Sequence, residues 1–283
     1  MSSIIREQVA NSRVSQTDGV AVVQFGIFGD LDWLIHGVST RLGGQSREHL
    51  RSLNLSFAVS DDPANVVANR RRFGETLAID LERTVCAVQT HGTNVAIAGL
   101  ADRGRGVFAR GTGIPDTDAI VTDAPGVFPM LSFADCVPIL FADPDRQAVG
   151  VAHAGWKGTA NGVVAATVTR MAEAFGTRPD RLLVAIGPSI GPCCYEVGAD
   201  VVEALADRLG DPSPFLRPGR ASRPHLDLWA VNRRWLRQTG VPEANVETVG
   251  LCTSCRTDLF FSHRGEGGRT GRFAAIAGRR ADG

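Results

Sequence analysis

The chain has 283 residues, 43% of them apolar and 21% charged, with Lys plus Arg equal to Asp plus Glu at 30 each. A formal net charge of zero gives no general attraction to nucleic acid or to an acidic membrane, and no apolar run reaches the roughly 20 residues that cross a bilayer. Six cysteines at this length are too few for a disulfide scaffold and read as reduced thiols or ligands. Residues 1–17 are polar and lack the apolar stretch of a signal peptide. They are expected to be a flexible leader on a cytoplasmic protein, and the length of the rest fits one large domain or two small ones.

In chain order, residues 20–28 and 35–40 read as strands, and Arg41-Leu42-Gly43-Gly44 as a loop. Asp61-Asp62-Pro63 starts a helix. It supplies an acidic cap and an early Pro, with Val66, Val67 and Phe73 at helical spacing and Arg70, Arg71 and Arg72 on the polar face. Three later apolar runs each end on a side chain that binds soft metals. Residues 85–88 run into Gln89-Thr90-His91-Gly92, residues 127–131 into Ser132-Phe133-Ala134-Asp135-Cys136, and residues 148–152 into His153-Ala154-Gly155-Trp156. Further strands are predicted at 119–122, 126–132 and 138–141, with hairpin-like neighbours that argue for a mixed sheet. A helix over 159–175, a buried strand at 182–186, helices at 201–209 and 228–239, and strands at 246–251 and 273–277 complete the pattern. Residues 210–224, rich in Pro, Arg and Ser, read as a surface loop. Interleaved strands and helices define a mixed α/β (α+β) class.

Two imidazoles and one thiolate, His91, His153 and Cys136, form the ligand set of an open, catalytic zinc centre. The bland alternative stays open: a Cys after an apolar run is commonly a small buried hydrophobe, and a single His a structural residue. Ligands drawn from distant strand ends leave no short spacing pattern to decide between them. Asp135, beside Cys136, is the candidate proton carrier. Arg41 and Lys157 are candidate anion binders, with Thr159 and Asn161 expected in the first turn of the next helix, where amides favour an anion. Each of these cations has a plainer reading as a solvated surface charge. Cys252-Thr253-Ser254-Cys255 fits a redox dithiol or half of a zinc knuckle, but the adjacent Cys193-Cys194 makes a poor chelating pair. All four therefore read as structural thiols, and Cys86 as core. The zinc deaminase signature, H-x-E with P-C-x-x-C, is absent.

Taken together, the motifs Ser39-Thr40-Arg41-Leu42-Gly43-Gly44, Ser52-Leu53-Asn54-Leu55, Gln89-Thr90-His91-Gly92, Asp116-Thr117-Asp118-Ala119, Ala134-Asp135-Cys136-Val137-Pro138, His153-Ala154-Gly155-Trp156-Lys157-Gly158, Cys194-Tyr195-Glu196-Val197 and Thr270-Gly271-Arg272 resemble the YfiH-like laccase-domain (polyphenol oxidase-like) family. The resemblance runs from about residue 20 to the C-terminus. It implies a single catalytic domain over residues 18–283, a layered sandwich of mixed β-sheets flanked by helices, with one zinc on His91, Cys136 and His153 and copper as second choice. It also implies phosphorolysis of adenosine, inosine, guanosine and methylthioadenosine, together with adenosine deamination. The expected catalytic set is Cys136, Asp135 and His153. Arg41, Lys157, Asn54 and Asn161 are expected on phosphate, ribose or purine, and the protein is expected to be a monomer or small homo-oligomer acting on small molecules. Ser56-Phe57-Ala58 and Ser262-His263-Arg264 depart from the family pattern and bear on the substrate pocket. Rival readings are a copper-dependent phenol oxidase, a cysteine amide hydrolase using Cys136 and His153 in peptidoglycan editing, and a zinc-dependent binding protein.

Overall fold

The computed structural model describes residues 12–219 and 223–281. Two six-stranded mixed sheets lie face to face with helices on both outer sides. The first sheet has the order β1 (Arg13–Thr17), β2 (Val20–Gln24), β3 (Leu34–Ser39), β14 (Phe273–Arg279), β7 (Phe128–Phe133), β4 (Thr84–Cys86). The second has the order β13 (Val246–Thr248), β10 (Leu183–Ile186), β8 (Val137–Asp143), β9 (Ala148–Ala154), β6 (Ala119–Thr122), β5 (Val95–Ile97). Among the described residues the α-helices are α1 (Pro63–Thr76), α2 (Trp156–Ala160), α3 (Val163–Phe175), α4 (Ala199–Leu209) and α5 (Leu228–Gln238).

Period-2 alternation explains why these strands read as continuous apolar runs. Along β14, Phe273, Ala275 and Ala277 enter the core between the sheets, while Ala274 and Ile276 face the layer that holds Phe73 of α1. Along β8, Leu140 and Ala142 enter the same central core, while Val137, Ile139 and Phe141 pack with Val164, Val168 and Met171 of α3. Both faces of each central strand are buried, and each fully buried Leu, Ile or Phe contributes roughly 1.5–3 kcal/mol.

Several expectations shift. The leader reading fails at residues 13–17, which pair antiparallel with β2 as an edge strand; residues 1–11 lie outside the described residues. The first strand ends at Gln24 and gives way to a 3-10 turn at Gly26–Phe28. The helix expected over 159–175 is two helices, because Gly162 takes a left-handed φ of 80° between them. Residues 210–224 are not wholly loop: β11 (Leu216–Arg217) pairs with β12 (His225–Leu226), and residues 220–222 lie outside the described residues. Strand β5 escaped the periodicity because it is three residues long.

Arg70 is the largest correction. Asp62 caps α1 as expected, accepting from Ala64 N, but Arg70 sits at i+4 from Val66 and i−3 from Phe73, on the buried face. It is 6% exposed. Its Nε donates to Leu55 O at 2.8 Å, and its Nη1 to Gly106 O and Val107 O at 2.7 Å each, with the guanidinium 4.6 Å over Phe57. Three carbonyls and an aromatic face compensate the buried charge.

His36 is also buried, between Phe25 and Phe28, and its Nε2 accepts from Phe25 N at 2.9 Å. Burial, helped by Arg13, lowers its pKa from 6.5 to about 4. The unfolded chain takes up this proton near pH 6.5 and the folded chain only near pH 4, so stability falls as pH drops through that window, by about 3 kcal/mol in total. Denaturant titrations of wild type and His36→Gln at pH 7 and pH 4 should show the variant losing about that much less on acidification; an equal loss in both would exclude this group.

Candidate metal centre

The three predicted ligands converge. The ligand atoms of His91, Cys136 and His153 lie within 4.8 Å of one another. Each arrives from a different element: His91 from the loop after β4, Cys136 from the turn that leads from β7 into β8, and His153 from near the end of β9. The His91 and His153 rings meet edge to face at 4.8 Å. Gly155 permits the convergence, because a Cβ there would stand 3.0 Å from both Cys136 Sγ and His91 Cδ2.

Asp118 organises the group. It is 0% exposed. Its Oδ1 accepts from His91 N at 3.0 Å and from His153 Nδ1 at 2.8 Å. Its Oδ2 accepts from Thr90 N at 3.0 Å and Gly92 N at 2.7 Å. The carboxylate thereby holds the imidazole of one ligand through Nδ1 and leaves His153 Nε2 for a metal, the usual carboxylate–histidine–metal arrangement. It also fixes the loop that puts His91 at φ 63°. Gln89 ties the same loop to β7, donating to Ser132 O and accepting from Ser132 N and Oγ.

The electrostatics suit a soft cation. Burial pushes the Cys136 thiol up, but the adjacent His153 and His91 outweigh it and bring it down to about 6. Burial likewise pushes His153 down, yet Cys136 and Asp118 raise it to about 9. For Asp118, burial pushes up, while the His153 hydrogen bond and charge and the Gly92 and Thr90 amides bring it to about 2. These opposite shifts describe a thiolate–imidazolium pair of Cys136 and His153, and a metal taking both as ligands would displace the His153 proton.

The triad lies on the wall of a cavity of about 740 Å³, also lined by Phe57, Met130, Trp156, Tyr195 and Arg272. Ser56, Phe57, Ala58, His263 and Arg264 line it as well, so both departures from the family pattern fall on the pocket wall.

The expected anion and sugar contacts fare differently. Arg41 spends its guanidinium on Arg51 O, Thr257 O and Glu266 Oε1, and stacks over Phe261 at 4.4 Å. Asn54 is fully buried; its Nδ2 donates to Ser56 O and Asp61 Oδ2, and its Oδ1 accepts from Ser56 N and Arg272 N. Lys157 is exposed with Nζ 5.5 Å over Trp156, and Asn161 is the exposed C-cap of α2 rather than part of a helix's first turn. None of these four lines the cavity. Asp135 does line it, at φ 83°. Its Oδ1 accepts from Thr253 Oγ1 and Ser262 Oγ at 2.7 Å each, and its Oδ2 from Arg264 N at 2.6 Å.

Sequence reasoning missed Asp118, Gln89 and Arg272. Arg272 lines the cavity and anchors one nitrogen, Nη1, on Thr270 O and Gly271 O. Among the described residues its Nε and Nη2 make no hydrogen bond within the protein. The available signals were an Asp directly before an apolar strand and an Arg directly before another.

The family described as multi-copper polyphenol oxidoreductase laccase matches residues 35–280. A protein named purine nucleoside phosphorylase YlmD, from Geobacillus stearothermophilus, is 44% identical over 251 residues, covering 88% of this chain and 91% of its own. Adenosine deaminase RL5, from an unknown prokaryotic organism, is 35% identical, covering 83% and 89%. The crystal structure of YlmD from Geobacillus stearothermophilus superposes with a TM-score of 0.89 at 41% identity, covering 94% of this chain and 98% of that one.

Asp118→Asn should weaken metal binding 10- to 100-fold, because an amide nitrogen replaces one of the acceptors that orient His153 and the His91 loop. Competition against a chromophoric chelator reads this directly; unchanged affinity in a folded variant would remove Asp118 from the site.

Proposed function

The chain belongs to the multi-copper polyphenol oxidoreductase laccase family, and we propose that it is a zinc-dependent purine nucleoside enzyme. Its reactions would be phosphorolysis of adenosine, inosine, guanosine and methylthioadenosine, and deamination of adenosine. Relatives named purine nucleoside phosphorylase and adenosine deaminase support an enzyme of purine nucleoside metabolism. The observation that carries the finer reading is the triad on the wall of a nucleoside-sized cavity that also holds a half-engaged arginine.

His91, Cys136 and His153 would hold the ion. A zinc with one open position supplies Lewis acidity at neutral pH without redox change. Phe57, Met130, Trp156 and Tyr195 offer apolar and aromatic surface for a purine. Arg272 presents Nε and Nη2, the side-on edge of its guanidinium, which matches two oxygens of a phosphate. Asp135 precedes Cys136 and lines the cavity. Its Oδ2 accepts from Arg264 N and would be the oxygen that takes or returns a proton.

Zinc is preferred to copper on ligand supply. Among the described residues only two His/Cys groups are close enough to share an ion, and the second contains no histidine. A multicopper centre calls for many more imidazoles. His36 is in the core and His225 Nδ1 is hydrogen-bonded to Pro192 O. A second reading has geometric support: Cys136, His153 and Asp118 are arranged as thiol, base and orienting carboxylate, as in a cysteine hydrolase.

Adenosine incubated with phosphate should give adenine, and without phosphate inosine, both lost after zinc removal and in Cys136→Ser. Arg272→Gln should raise the KM for phosphate about tenfold or more, the loss of one charge-assisted contact, with deamination near wild type. Chromatography showing no adenine, inosine or hypoxanthine would sink the nucleoside reading, and cysteine-dependent amide hydrolysis that survives a chelator would establish the hydrolase.

A further inference from the structure

A second cluster of thiols lies outside the cavity. The Sγ atoms of Cys193, Cys194, Cys252 and Cys255 all lie within 4.8 Å of one another. Cys255 Sγ stands 3.6 Å from Cys193 Sγ and 3.4 Å from Cys194 Sγ. A disulfide requires about 2.05 Å, whereas four sulfurs at about 2.3 Å from a tetrahedral zinc stand about 3.8 Å apart. The observed separations are close to the second value.

The backbone builds the cluster from two adjoining loops. In the first, Cys194 N and Tyr195 N both donate to Gly191 O at 3.0 Å, a tight turn that brings two neighbouring cysteines to the same partner. This removes the objection from sequence that adjacent cysteines chelate poorly. In the second, Arg256 N donates to Cys252 O at 3.0 Å, so Cys252-Thr253-Ser254-Cys255 closes into one turn, the shape of a zinc knuckle. The loops are joined by Ser189 N to Leu251 O and by Thr253 N to Ser189 O. Gly191 N donates to Cys252 Sγ at 3.2 Å, the kind of amide donor that stabilises a metal-bound thiolate. Cys252 is buried while Cys193 and Cys255 are exposed, so an ion can enter from solvent without opening the core.

We propose that Cys193, Cys194, Cys252 and Cys255 bind one zinc ion as a tetrathiolate clamp, separate from the His91–Cys136–His153 centre. A closed four-thiolate shell leaves no open position, so the site is structural. It pins two loops that matter to the cavity. The first carries Ile190 and Tyr195, which line it, and the second carries Thr253, whose hydroxyl donates to Asp135 beside Cys136. Four thiols falling to a metal also explain why this part of the chain holds four of the six cysteines without a disulfide among them.

Elemental analysis of full-length protein produced with zinc tests the clamp. Wild type should carry two zinc ions per chain, His91→Ala/His153→Ala one, and Cys193→Ser/Cys255→Ser one. Cobalt(II) added to the metal-free His91→Ala/His153→Ala variant should give the intense thiolate-to-cobalt absorption of a four-sulfur site, absent when Cys193→Ser/Cys255→Ser is combined with it. Cys193 and Cys255 are exposed, so their serine variants are expected to fold. The proposal is overturned if the histidine variant, folded by circular dichroism, takes up neither ion. It is equally overturned if thiol titration of denatured, unreduced protein finds these four cysteines paired as disulfides. The histidine variant isolates this outcome from any failure of the nucleoside reading.

Discussion

A carboxylate with no solvent exposure, Asp118, holds the two halves of the molecule's chemistry together. Burying an ionised carboxylate without partners would be prohibitive, and here three backbone amides and one imidazole surround it. Two of its donors come from His91 and His153 themselves. His91 follows β4 of the first sheet, while Asp118 immediately precedes β6 and His153 belongs to β9, both strands of the second. Cys136 sits where the chain leaves β7 in the first sheet for β8 in the second. The centre therefore stands at the crossing between sheets. Its geometry is inherited from the shared core, where Phe133, Phe273, Leu140 and Val151 interdigitate.

What could be read from the sequence was the part written in side-chain type and chain position. His91, Cys136 and His153 were legible because an apolar run ending in a ligand, near glycine, marks a strand that delivers chemistry to its end. The mixed α/β class was legible because strand and helix patterns alternate. The supporting cast was not, because its roles depend on which groups the fold leaves unsatisfied. Arg41 and Asn54 carry the right functional groups for phosphate and sugar, but burial commits them to carbonyls, to Glu266 and to Asp61. Arg272 looks no different in sequence, yet among the described residues only its Nη1 is tied down. Arg70 misleads for a related reason: charge argued for the polar face, while the i, i+4, i+7 spacing with Val66 and Phe73 places it inside.

The two cysteine-containing clusters are joined by one hydrogen-bonded chain. Thr253, between Cys252 and Cys255, donates to Asp135; Ser262 donates to the same oxygen; and Asp135 is the residue before Cys136. Position 135 takes φ 83° and position 91 takes φ 63°. A non-glycine residue in that region costs of order 1–3 kcal/mol and persists only where its surroundings over-determine it. The surroundings do so twice, with Asp118 gathering the amides of the His91 turn and the Thr253, Ser262 and Arg264 donors gripping Asp135. Both strained positions, His91 itself and Asp135 beside Cys136, are held by hydrogen bonds from the protein, so the contacts that meet the strain also fix where the His91 and Cys136 side chains stand.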